Sequence, residues 1–150
     1  MVTLSTQSPK QNLLIKNYLW WMHIFATKKT PNDKVLHAAN IMAEYLDNNG
    51  DGKVDNPLVV ENMLNSVIYM SSDETDEIDA MNSLYKSSFD KDEKQIDNVI
   101  NGQSLYANET GNDLKLGNGT PKFDASLEEI LHLITEKGYA NAYPEIFGEN

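Results

Sequence analysis

Residues 47 to 55 read Asp47-Asn48-Asn49-Gly50-Asp51-Gly52-Lys53-Val54-Asp55, and no other stretch restricts the fold as strongly. Oxygen-bearing side chains fall at alternate positions, Asp47, Asn49, Asp51 and Asp55, with a glycine after the third. A hard cation takes about 6–8 oxygens, so a short turn that serves one must bend several of them onto a single point. Alternation does that, and Gly52 permits a bend that a Cβ would obstruct. Without an ion, the same composition makes an ordinary Asn/Asp/Gly turn.

The flanks decide between these readings. Val35, Ala38, Ala39, Met42, Tyr45 and Leu46 keep helical spacing, so an amphipathic helix capped by Asp33 runs straight into the turn. Val60, Met63, Leu64, Val67 and Ile68 repeat the pattern beyond it. Helix, ligand spacing and helix together resemble an EF-hand calcium-binding unit over residues 33–69. The resemblance implies calcium held by the side chains of Asp47, Asn49 and Asp51 and by the backbone carbonyl of Lys53. Val54 would turn into the core, and Asp55 would bind directly or through water. The twelfth position departs from the family, with Leu58 in place of a bidentate glutamate. Pro57 starts the outgoing helix early, which makes Glu61, three residues beyond Leu58, the candidate substitute.

The 150 residues suit one domain spanning 1–150, and a hydrophobic content of 40% suffices for a core. The absence of cysteine excludes disulfides, thiolate zinc sites and cysteine nucleophiles. A net charge of −11 opposes binding to nucleic acid or an anionic membrane and favours a cation as partner. Residues 73–97 hold nine acids against three lysines and read as a solvated acidic face. No stretch approaches the ~20 apolar residues of a membrane helix, so no membrane insertion is expected. The opening Met1-Val2-Thr3 lacks a signal-peptide layout. Two sequons, Asn108-Glu109-Thr110 and Asn118-Gly119-Thr120, are glycan acceptors in an extracellular or secreted protein, the expected location.

Elsewhere the pattern is mostly helical. Leu14, Tyr18, Trp21 and Phe25, with Leu13, Trp20 and Ile24, predict a buried helix over 13–25. Ser71-Ser72-Asp73 stops the outgoing helix and caps a third, carried by Ile78, Met81, Leu84 and Tyr85. Ile96, Val99 and Ile100 predict another, and 103–106 with 114–116 a small hairpin. The expected fold is mainly α: a single domain of about five or six helices around one EF-hand-like helix–loop–helix. A Gly/Asn-rich loop or small hairpin is expected near 103–122.

A second constellation lies near the C-terminal end. Ser126 and Glu129 form a capping box, Leu127, Ile130, Leu131 and Ile134 an apolar stripe, and Gly138 a stop. Glu128-Glu129-Ile130-Leu131-His132 resembles the zincin metallopeptidase motif H-E-x-x-H, with glutamate for the first histidine. That resemblance implies zinc held by Glu128 and His132, with Glu129 as general base on a metal-bound water. A plain surface Glu–His pair at i, i+4 is the alternative. His37 and Glu44 fall on the polar face of the helix before the calcium loop and read as solvent-exposed. Tyr139, Tyr143 and Phe147 either pack back on the domain or form an aromatic interaction surface for a protein partner. Three functions follow: a calcium-binding domain with a mainly structural ion, a zinc-dependent hydrolase, or a protein-interaction module.

Overall fold

The computed structural model describes residues 23–64, 66–88 and 102–148. Three strands, β1 (His23–Ala26), β2 (Val67–Ser71) and β3 (Gly102–Tyr106), form a parallel sheet in the order β1-β2-β3. Phe25 lies opposite Tyr69, and Met70 opposite both Ala26 and Leu105. Around the sheet stand α1 (Asn32–Leu46), α2 (Pro57–Asn62), α3 (Glu74–Ser88) and α4 (Ala125–Leu133). A π-helical segment, Ile134–Tyr139, leads from α4 into the short helices α5 (Ala140–Ala142) and α6 (Pro144–Phe147). The single small domain is therefore mixed α/β, a correction to the mainly α fold expected.

Two expected helical stretches are strands. Helical spacing through Phe25 gives way to β1 at His23, and the rest of that expected helix lies outside the described residues. The outgoing helix stops at Asn62, where Met63 and Leu64 turn, and Val67 and Ile68 open β2 instead of continuing it. β-Branched and aromatic side chains such as Val67, Ile68 and Tyr69 suit a pleated, two-sided surface. Ile68 and Met70 point into the core at 0% and 1% exposure, while Val67 and Tyr69 occupy the other face. The helix expected at 96–100 also lies outside the described residues.

The hairpin near 103–122 is corrected too. Residues 102–106 pair with β2, and 114–122 fold on themselves through a Lys115–Pro121 bridge. There the Leu116 N–H donates to Thr120 O at 2.7 Å and the Lys122 N–H to Leu114 O at 2.9 Å.

One face of the sheet carries Ile24, Ile68, Met70 and Leu105 into the main core. They meet Val35, Ala38 and Met42 of α1, Val59 of α2, Met63 beyond it, and Ile130 and Leu133 of α4. The buried stripe of α4 is thus rotated from the expected one, since Leu127 and Leu131 are 36% and 48% exposed. α3 lies on the other face, where Glu77 accepts hydrogen bonds from Ser104 Oγ and Tyr106 Oη of β3.

The caps differ in part from the sequence reading. Asp73 caps α3 as expected, accepting the Asp76 N–H at 2.9 Å. Pro31 occupies the cap of α1, and Asp33 lies within its first turn. Asp124, not Ser126, caps α4, accepting the Ser126 N–H at 3.1 Å and Oγ–H at 2.7 Å. Gly138 does not end the helix. It lies inside the π-helical segment, where a Cβ would come within 2.6 Å of Val59 Cγ1.

Candidate functional site

The loop between α1 and α2 is closed by its own oxygens. Asp47, at 4% exposure, receives the Asp51 N–H on Oδ1 at 3.2 Å and the Gly52 N–H on Oδ2 at 2.9 Å. Asn49 Oδ1 accepts the Asp51 N–H at 2.8 Å, and Asp51 Oδ1 the Lys53 N–H at 2.9 Å. Gly50 and Gly52 take φ of 67° and 86°, a region that a side chain makes costly. The glycines thus turn the chain so that Asp47, Asn49 and Asp51 each fold back on the backbone ahead.

Asp55 fastens the far end. Its N–H donates to Leu46 O at 2.8 Å, and its Oδ2 accepts the Asn48 N–H and Nδ2–H at 3.0 and 2.8 Å. Those bonds, the backbone one first, hold the Asp55 carboxyl below the usual carboxylate range. Asn56 then caps α2, accepting the Val59 N–H, and its Nδ2 donates to Tyr143 Oη at 3.0 Å. Helix–loop–helix is therefore present, with the outgoing helix anchored to the C-terminal segment.

Glu61 is exposed on α2 and makes no hydrogen bond with the loop among the described residues. Lys53 is exposed and Val54 half-buried. Among the described residues, no three His, Asp or Glu side chains converge on one point. Carboxylates here that meet an ion would do so together with Asn49, backbone carbonyls and water. Each carboxylate oxygen has two lone pairs, so one accepted hydrogen bond leaves a position for a cation.

On α4, His132 Nε2 and Glu128 Oε1 are 3.6 Å apart, with side chains 53% and 59% exposed. Glu129 is half-buried and accepts a hydrogen bond from Gln103 Nε2, fastening α4 to β3. The spacing brings Glu128 and His132 together as an exposed side-chain pair at i, i+4. The aromatic tail packs back as short helices, with Tyr139 5.0 Å from Phe147 and 6.4 Å from Tyr143 between ring centres.

Two polar clusters escaped the sequence reading. His37, expected on a solvated face, is hydrogen-bonded through Nε2 to Asp124 Oδ2 at 2.6 Å. That correction joins residues far apart in the chain, and no local spacing signals it. Glu44 is exposed as expected. Asp76 departs from the solvated acidic face at 5% exposure. It accepts hydrogen bonds from the Ser72 N–H and Thr27 Oγ1 and pairs with Lys29 Nζ at 3.3 Å. These partners, Ser72 foremost, hold its carboxyl below the usual range against the cost of burial. It lies where β1 and β2 end, the edge at which open α/β sheets place ligands, but its bonds make it a clamp between the β1–α1 loop and α3. Tyr106, whose hydroxyl donates to Glu77, is pushed up to about 12 by that bond first and by burial and nearby acids after it.

Comparison of the chain with family models, curated proteins and solved structures yields no match.

Proposed function

We propose that this domain binds one calcium ion in the Asp47–Asp55 loop and that the ion's role is mainly structural. One observation carries the reading. Asp47, Asn49 and Asp51 stand on a loop wound by two positive-φ glycines between α1 and α2, with Asp47 buried at its root. Calcium tolerates irregular coordination and accepts carbonyl and water oxygens, which suits a loop with few carboxylates. The missing glutamate at Leu58 makes the affinity modest, nearer the ~10⁻⁴–10⁻³ M of extracellular modules than that of cytosolic sensors. The acidic balance of the chain works in the same direction, and an extracellular setting, where calcium is abundant, is part of the proposal.

The test is a thermal melt of the full chain in EDTA and in millimolar calcium. Calcium at ten times its dissociation constant adds about 1.4 kcal/mol, a rise of a few degrees for a domain of this size. Asp47→Ala and Asp51→Ala should each abolish the calcium-dependent rise. A rise that survives in both variants would refute the assignment. The Glu128/His132 pair is exposed, and Glu129 is engaged by Gln103.

A further inference from the structure

α2 has six residues, too few for a helix to stand alone, so its neighbours hold it in place. The Asp47–Asp55 loop holds one end. Asp55 ties the loop back to Leu46 O and Asn48, and the next residue, Asn56, caps α2 by accepting the Val59 N–H at 3.3 Å. The C-terminal segment holds the side of α2. There the Gly138 backbone comes so near that an added Cβ would meet Val59 and Met63. Asn56 joins the two supports, since its Oδ1 caps α2 while its Nδ2 donates to Tyr143 Oη at 3.0 Å. Tyr143 in turn accepts the Ile146 and Phe147 N–H groups on its carbonyl at 3.0 Å, which winds α6.

We infer that calcium in the loop controls how firmly residues 134–147 dock, with Asn56 and α2 as the link. The inference rests on the calcium reading above. An ion that draws Asp47, Asn49, Asp51 and the Lys53 carbonyl together fixes the chain up to Asp55, one residue before Asn56. The cap, the first turn of α2 and the amide that reaches Tyr143 are fixed with it. When the ion leaves, α2 loses the support at that end, and the segment resting on Val59 and Met63 opens more readily than the sheet. Binding free energies are reciprocal, so a docked segment raises calcium affinity by the factor by which calcium favours docking. Calcium thereby sets the firmness of the Tyr139, Tyr143 and Phe147 ring cluster.

The test uses the full chain, with calcium alone as the probe. Hydrogen exchange is compared in EDTA and in millimolar calcium. Calcium should slow exchange in 57–62 and 134–147 about five times more than in β3, whose bonds run to β2, α3 and α4. Tyr143→Phe removes only the hydroxyl and should raise the calcium concentration for half-saturation about threefold in a calorimetric titration. Gln103→Ala, which cuts the link from β3 to α4, should leave it unchanged. Should Tyr143→Phe unfold, Asn56→Ser replaces it, because serine keeps a cap but has no amide to offer Tyr143. Uniform slowing along the chain, or a wild-type titration in the variant that folds, would overturn the inference and leave the calcium site standing. A wild-type chain that takes up no calcium would overturn both.

Discussion

Asp124 accepts hydrogen bonds from His37 Nε2, from the Gly111 N–H at 3.1 Å, and from both the N–H and hydroxyl of Ser126. One carboxylate therefore caps α4, ties it to α1 and fixes the turn after β3. Burial works against its charge, but the bonds from Ser126, His37 and Gly111 outweigh it and hold the carboxyl below the usual range. A depressed folded value stabilises the protein fully above the unfolded value, near ~3.9, and the contribution disappears as pH falls through the folded one. Urea melts below about pH 4 should show that loss, and Asp124→Asn should flatten this part of the pH profile. At neutral pH, Asp124→Ala should cost at least the ~0.5–2 kcal/mol of a lost helix cap, read from the same melts.

Gly138 shows how an element can be kept in place by what it lacks. Glycine within a helix costs about 1 kcal/mol relative to alanine, so Gly138→Ala would stabilise an isolated helix. Here the added Cβ would meet the stiff Val59 Cγ1 at 2.6 Å and Met63 Sδ at 3.0 Å. Overpacking of that kind costs about 1–3 kcal/mol, so Gly138→Ala should lower the denaturation midpoint. Elements were legible from the sequence where their signal was local and one-sided. α1 shows its apolar stripe because one face is buried, and the loop shows its turn because nine adjacent residues contain the whole pattern. β1 and β2 were not legible. Apolar on both faces, they lack polar/apolar alternation, and Val67 and Ile68 happen to continue the helical phase of Val60, Met63 and Leu64. The links from His37 to Asp124 and from Gln103 to Glu129 depend on distant chain segments meeting, which no periodicity records.

At the scale of the molecule, the core on the first face of the sheet draws, among the described residues, on every strand and on α1, α2 and α4. Ile68, at 0% exposure, sits at its centre on the middle strand. Ile68→Ala should cost about 2–5 kcal/mol, a large part of the ~5–15 kcal/mol that holds an ordinary domain, and should lower the melting temperature without splitting the transition. Because α4 also packs on α1, through Tyr45 Oη to Leu127 O among other contacts, the first helix among the described residues is completed by one of the last. During synthesis, Val35, Ala38 and Met42 leave the ribosome long before Ile130 and Leu133 exist to cover them. A nascent chain released ahead of α4 would present that apolar face to chaperones and proteases, and the completed protein would withdraw it in one late step.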